Sequence, residues 1–289
     1  RELSKLLNTG TRQNDELLLT VNGKPLENKK LAENFNKHFE TTSSCSSTVN
    51  GRQAKTYLGP RNSKPAFFEP SSCEEIYTIF MLLKKSKTKD IDDLDIRPVK
   101  YVLDILVHHL CFIFIACLKA GTFPESMQCA RVSIVYKPGD KNNLSNYWPI
   151  SVQPIFSKGF EKVICKRLKS FCDKHMIISE QQFGFRQDRS TELPLLTQKE
   201  FLLKGSEDNI LTLGIFIDFS KAFDRIDHTI LYTKLEHYGF REIPGTLLKS
   251  YLNHRKQCVV INEWRSSVLN ITAGVPQGSV LGPILFKFI

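Results

Sequence analysis

Ile210-Leu-Thr-Leu-Gly-Ile-Phe-Ile217 is a continuous apolar run that ends on Asp218. Its length suits one strand, and its lack of polar alternation suits a strand covered on both faces, at the centre of a sheet. Covering such a strand takes a real core. A chain of 289 residues with 41% hydrophobic and 24% charged residues can supply one, which excludes a disordered polymer. A carboxylate at the end of a buried strand is costly unless it meets a cation or a strong donor. A hard cation such as Mg²⁺ would take Asp218 and a nearby backbone carbonyl as oxygen ligands and keep positions free for phosphate. The plainer alternative is that Asp218 caps the turn that follows.

Helical patterns surround this run. Residues 1–66 are polar, with short helical patterns such as Leu31-Ala-Glu-Asn-Phe35-Asn-Lys-His-Phe39, and the expectation there is a loosely packed linker. Leu103, Leu106, Leu110, Ile113 and Cys117 recur as one face of a buried helix, closed by Gly121 and Pro124. Arg131-Val-Ser-Ile-Val-Tyr136 is a short strand, followed by a turn at Lys137-Pro-Gly-Asp140. Phe156, Phe160, Ile164, Leu168 and Phe171 mark the next helix. Asp227 caps another that carries Ile230, Leu231, Leu235 and Tyr238 and stops at Gly239, and a further helix begins at Pro244. Cys258-Val-Val-Ile261 and Val268-Leu-Asn-Ile271 look like a hairpin. Irregular alternation of these elements gives an α+β class.

Charge narrows the partners. The formal net charge is +10, which favours an anionic partner such as nucleic acid. Between Arg131 and Lys174 nine Lys/Arg face three acids, Asp140, Glu161 and Asp173. Lys158, Lys162, Lys166 and Lys169 form a stripe on one helix there, read as a nucleic-acid-facing surface rather than a merely solvated one. The longest apolar run, Leu110 to Leu118, is too short to cross a bilayer, so no membrane partner is expected. Eight cysteines without a C-x-x-C pair read as reduced thiols of an intracellular protein, not as a disulfide frame or zinc site. With neither a P-loop nor a Gly-x-Gly-x-x-Gly, kinase and dehydrogenase readings have nothing to rest on.

Two further segments carry chemistry. In Gly274-Val-Pro-Gln-Gly-Ser-Val-Leu-Gly-Pro-Ile-Leu-Phe286, two glycines bracket Gln277 and let the backbone approach a flat or phosphorylated ligand. Ser145-Asn-Tyr-Trp-Pro-Ile-Ser151 is a polar-aromatic loop within the basic region. Taken in order, Val135-Tyr-Lys-Pro-Gly-Asp140, Asn146-Tyr-Trp-Pro-Ile-Ser151, Phe160-Glu-Lys162, Ile178-Ser-Glu-Gln-Gln-Phe-Gly-Phe-Arg186, Phe216 to His228 and Gly274 to Phe286 resemble the reverse transcriptases of non-LTR retrotransposons of the LINE and jockey-like type. Weaker matches fall at Asn22-Gly-Lys, Ala32-Glu-Asn-Phe-Asn36 and Phe123-Pro-Glu-Ser126.

The resemblance implies a right-hand polymerase fold with fingers and a partial palm and no thumb. It implies a linker over 1–66 after an endonuclease region, a helical fingers segment over 67–128 and a fingers and palm core over 129–289. Asp218 would be the catalytic, metal-binding carboxylate, and Phe219 would lend its backbone carbonyl to the metal. Phe223 would lie under the incoming sugar, Gln277 and Gly278 would line the nucleotide pocket, and Lys137 would meet the triphosphate. Arg186 joins the lysine stripe in holding nucleic acid; Asp224 and Asp227 are assigned structural duty. Implied partners are an RNA template, a DNA primer and deoxynucleoside triphosphates, with two Mg²⁺ ions, at work in the nucleus. The family's second carboxylate motif, an aromatic-x-Asp-Asp turn, lies beyond Ile289. Trp148 stands where the family has a phosphate-gripping Arg. Asp90 and Asp188 stand where Gly is usual, and Lys287 where an apolar residue is expected. The expectation is therefore a truncated, inactive reverse transcriptase domain. The alternative is a non-catalytic nucleic-acid-binding remnant or pseudogene product.

Overall fold

A computed structural model describes residues 20–21, 24–25, 27–43, 58–186 and 189–289. Position 188 and the Asn22-Gly pair lie outside them. Two short strands, β1 (Thr20–Val21) and β2 (Lys24–Pro25), pair antiparallel ahead of α1 (Asn28–Ser43). Leu31, Ala32, Phe35 and Phe39 are all buried on α1, against Val132, Tyr147, Val259 and Ile261. The loose linker expected over 1–66 therefore does not describe this helix. An apolar stripe of period four in a polar segment makes an amphipathic helix, and here it has found a sheet to cover.

The next two helices begin on local caps. Ser72 accepts from the Glu75 amide at 3.1 Å to start α2 (Cys73–Leu82), and Asp95 caps α3 (Ile96–Tyr101). α4 (Leu103–Ala120) stops at Gly121. Its buried face is Leu103, Val107, Leu110, Cys111, Phe114 and Leu118, while Ile113 stays 41% exposed. The expected face was off by part of a turn because this helix is apolar on nearly every side, so spacing alone does not orient it. By length and hydropathy α4 is also apolar enough to cross a membrane. Its buried face instead belongs to the main core, where Phe114 stacks on Phe160 at 4.7 Å.

One mixed sheet organises the rest. β3 (Cys129–Tyr136) pairs antiparallel with β4 (Tyr147–Val152), from Arg131↔Val152 to Tyr136↔Tyr147. It pairs in parallel with β5 (Lys256–Ile261), from Cys129↔Lys256 to Val132↔Val259. After β4, α5 (Ile155–Lys174) buries Phe160, Val163, Ile164 and Leu168, close to the expected face. α6 (Glu192–Glu207) follows and buries no residue. α7 (His228–Tyr238) starts as expected, with Asp227 accepting from the Thr229 and Ile230 amides at 2.7 and 3.1 Å, and ends at Gly239. α8 (Glu242–Leu252) buries Leu247, Leu248, Tyr251 and Leu252. The hairpin is tighter than expected: β6 (Trp264–Arg265) returns directly, and β7 (Leu269–Asn270) rejoins β5 further along. Val260↔Arg265 and Gln257↔Leu269 differ in register by one residue, so a bulge lies near Ser266. α9 (Gly282–Phe286) closes the described chain.

The central strand expected at 210–217 does not form. Residues 210–219 have no regular structure, and Leu211, Leu213, Ile215, Phe216, Ile217 and Phe219 are exposed. Periodicity reports that a segment favours burial, but a strand also needs a neighbour for its ladder. None of the described strands pairs with this one.

Candidate nucleotide and nucleic-acid site

Three sequence segments converge on one node. The Gly274 amide donates to the Ile226 carbonyl at 2.8 Å, and the Val275 amide to Phe223 at 2.8 Å. Ser151 on β4 donates its amide to the Gln277 carbonyl at 2.7 Å. Gln277 also donates through Nε2 to both oxygens of Asp224, at 2.8 and 2.9 Å. His228 donates through Nε2 to the Gly274 carbonyl at 2.7 Å, so Nε2 carries a proton. Gly274 is indispensable to this arrangement. Its φ is +80°, and an added Cβ would fall 2.6 Å from the Asp224 carbonyl oxygen. Burial raises the Asp224 pKa despite the Gln277 bond, and burial lowers that of His228. The cavity between these groups is only about 40 Å³, room for water and not for a nucleotide. The node is a scaffold beside a site rather than a pocket.

Glu161 holds the other end of the same loop, and sequence reasoning gave it no role. Its carboxylate is fully buried and accepts from the Val280 and Leu281 amides, at 2.7 and 3.1 Å, and from Ser157 Oγ at 3.1 Å. Burial raises its pKa, opposed by Arg255, itself buried, and by these hydrogen bonds. A signal was present. Glu161 falls three residues before Ile164 and seven before Leu168, on the apolar face of α5, where an acid needs a partner. Asp90 repeats the lesson. It is buried, and its carboxylate accepts from the amides of Asp92, Leu94 and Ile155, each at 3.0 Å. What read as a departure from a glycine pattern is the clasp that joins this loop to the start of α5.

The predicted site residues are distributed as follows. Asp218 and Phe219 are exposed, and the Asp218 side chain makes no hydrogen bond or ion pair with any described residue. Phe223 stacks on Phe286 at 4.7 Å and meets Phe185 edge-on at 5.6 Å. Gly278 is exposed, with φ +104°. Gln277 contacts Asp224 rather than Asp218. Lys137 and Trp148 come together, the ammonium 3.7 Å above the indole centroid. The turn beneath them is ordered by Tyr136 Oη, which donates to the Gly139 carbonyl at 2.6 Å, and by the Lys137 amide bonded to the Asn146 carbonyl at 2.7 Å.

The lysine stripe is divided. Lys158 and Lys162 are half-buried, and burial lowers both pKa values. Lys166 pairs with Glu75 at 3.0 Å, beside the bidentate Arg167–Glu75 pair at 2.5 and 2.6 Å. Burial raises the Glu75 pKa, but hydrogen bonds from Arg167 and Lys166 outweigh it and hold the carboxyl below its ordinary range. Lys169 is exposed and lines a separate cavity with Arg186.

Residues 136–289 match the reverse transcriptase (RNA-dependent DNA polymerase) family. The chain is 32% identical over 240 residues to the RNA-directed DNA polymerase from mobile element jockey of Drosophila melanogaster, covering 82% of this chain and 26% of that protein. It is 33% identical over 220 residues to the jockey polymerase of Drosophila funebris, covering 76% and 24%. Against the probable RNA-directed DNA polymerase from transposon BS of Drosophila melanogaster it is 32% identical over 220 residues, covering 76% and 24%. The chain thus spans about a quarter of the length of these curated relatives.

Proposed function

This chain belongs to the reverse transcriptase family, as the reverse transcriptase domain of a jockey-like non-LTR retrotransposon, and we propose that it holds an RNA template and a deoxynucleotide in the manner of a right-hand polymerase. In this reading β3, β4 and their connecting turn act as fingers, and the node of 223–228 with 274–281 acts as the base of the palm. The observation that carries it is the backbone lock between those two segments and Ser151, which fixes three family motifs in one place. Phe223, stiffened between Phe185 and Phe286, presents a ring edge against a sugar. Lys137 supplies positive charge to a triphosphate. Trp148 replaces the fork of an Arg with a flat face, so the grip rests on one ammonium and on stacking.

Polymerases of this family use divalent metal ions. Among the described residues no three His, Cys, Asp or Glu side chains converge. Asp218 and the Phe219 carbonyl offer two oxygens, where a hard cation takes six or more. That pair does not hold an ion unaided, so Asp218 is one carboxylate of a larger set. The function proposed for residues 1–289 is therefore template and nucleotide binding, with turnover left to the complete donor set. A second reading, an RNA binder without nucleotide recognition, is favoured by Trp148 in place of the Arg.

Fluorescence anisotropy with a labelled RNA template–DNA primer, in Mg²⁺ and with each deoxynucleotide in turn, separates the two. The expected result is RNA binding that tightens only with the nucleotide complementary to the templating base, an effect lost in Gln277→Ala. RNA binding indifferent to every nucleotide supports the second reading, and no RNA binding overturns both.

A further inference from the structure

Cys73, the first residue of α2, and Cys111, on the buried face of α4, share a hydrogen bond between their thiols. Both are free cysteines, Cys73 half-buried and Cys111 buried. The Cys111 sulfur also lies 3.6 Å from the Ser71 carbonyl oxygen, a second acceptor for its proton. His108 is exposed and brings Nδ1 to 3.7 Å from the Cys73 sulfur. It precedes Cys111 by about one helical turn on α4, so both side chains reach the start of α2. Among the described residues no three such side chains are placed to share a metal ion. The chemistry of this cluster is therefore that of its thiols.

The two sulfurs are unequal. Burial pushes the Cys111 thiol up to about 11, helped by the hydrogen bond and the charge of Cys73. Its proton stays in place at neutral pH. Cys73 stands among the first amides of α2, which favour negative charge. Its S–H donates to His108 Nδ1 when that ring carries its proton on Nε2. The Glu75 carboxylate, in the same turn, is matched by Arg167 and Lys166. Cys117 and Cys129 are the other half-buried cysteines among the described residues, and burial pushes both thiols up. A thiol within reach of solvent, with a base on one side and a second thiol on the other, has what an oxidant-sensing cysteine needs.

We propose that Cys73 is a site of reversible oxidation by hydrogen peroxide, with Cys111 as its resolving thiol. His108 takes the Cys73 proton, the sulfur attacks one peroxide oxygen, and the O–O bond breaks. The released hydroxide collects that proton from His108 and leaves as water. Cys73 is then a sulfenic acid, oxidised by two electrons, and the peroxide is reduced by the same two. The Cys111 sulfur attacks the Cys73 sulfur, the S–O bond breaks, and hydroxide leaves with the Cys111 proton as a second water. The disulfide so formed ties the start of α2 to α4, and a thiol reductant returns it to the free pair seen in the structure.

The test treats the reduced full chain, and the variants Cys73→Ser, Cys111→Ser and His108→Ala, with hydrogen peroxide. Dimedone traps sulfenic acid, and mass spectrometry after blocking of free thiols maps disulfides. The unaltered chain should form a Cys73–Cys111 disulfide ahead of any modification at Cys117 or Cys129, and dithiothreitol should reverse it. Its thermal midpoint should rise by about 5 °C on oxidation. Cys111→Ser should accumulate dimedone-labelled Cys73, and Cys73→Ser should leave Cys111 unlabelled. His108→Ala should slow Cys73 oxidation about tenfold without moving the thermal midpoint of the reduced chain. Peroxide that modifies Cys117 or Cys129 as fast as Cys73 overturns the proposal, as does Cys73 oxidation with no bond to Cys111. A disulfide that forms only after unfolding in urea overturns it too, and an unchanged rate in His108→Ala overturns the role of His108 as the base.

Discussion

Residues 192–219 and the node of 223–228 with 274–281 are near neighbours in sequence and comparably rich in apolar side chains. Physically they are opposites. In the node, Ile226, Val275 and Leu281 are buried, and the loop amides of Gly274, Val275, Val280 and Leu281 all have acceptors. In 192–219, α6 buries nothing, and Leu195, Phe201, Leu213 and Phe216 are each more than half exposed. Apolar content states what a segment tends toward; hydrogen-bond partners decide whether it gets there. The node is tied down by contacts spanning 46 to 126 residues, whereas the run before Asp218 has no partner among the described strands.

That contrast can be broken most severely at Glu161. Glu161→Ala leaves two buried amides and Ser157 without their acceptor and removes the counter-charge of buried Arg255. Stability should fall by about 3–5 kcal/mol, read by urea unfolding. A loss below about 1 kcal/mol would mean the 280–281 end of the loop is not anchored by this side chain. Gly274→Ala comes next, at about 2–4 kcal/mol, from the left-handed backbone and the clash with the Asp224 carbonyl. It should also abolish the nucleotide-dependent tightening of RNA binding.

Acid titration gives a smaller effect with opposite signs at two places. Burial lifts the Asp224 pKa, so the fold favours its protonated form. Its stabilising contribution is complete below the ordinary carboxylate range and is lost as pH rises through the raised value. Asp224→Asn should flatten thermal stability across that window. Glu75 behaves in reverse. Its lowered pKa gives stability that is present above the ordinary range and lost as pH falls through the lowered value, a step Glu75→Gln should remove. Unchanged pH profiles in both variants would contradict these environments.

The smallest effect belongs to the exposed run. Leu213→Ser or Phe216→Ser should change stability by less than about 0.5 kcal/mol, with better solubility as the likewise exposed surface shrinks.

What the sequence discloses follows the range of the interactions. The start and stop of α7 were readable because Asp227 and Gly239 act within one turn of their own helix. The buried face of α5 was readable from Phe160, Ile164 and Leu168, because polar residues delimit it. α4 offered no such contrast, and its face was misplaced. The ladder for 210–217, the Asp224–Gln277 bond across 53 residues and the Glu161–Val280 bond across 119 are non-local, and neither period nor propensity encodes a partner so far away. Trp148 was recognised as a departure from the family Arg. That it would receive the Lys137 ammonium depended on the β3–β4 register, which pairs Val135 with Trp148.

Amide hydrogen exchange on the full chain tests the central contrast most directly. The amides of Ser151, Gly274, Val275, Val280 and Leu281 should be protected to nearly the stability of the whole fold, while those of 211–219 exchange close to their unprotected rates. Strong protection across 211–217 in the isolated chain, or rapid exchange at Val275 and Val280, would contradict the account.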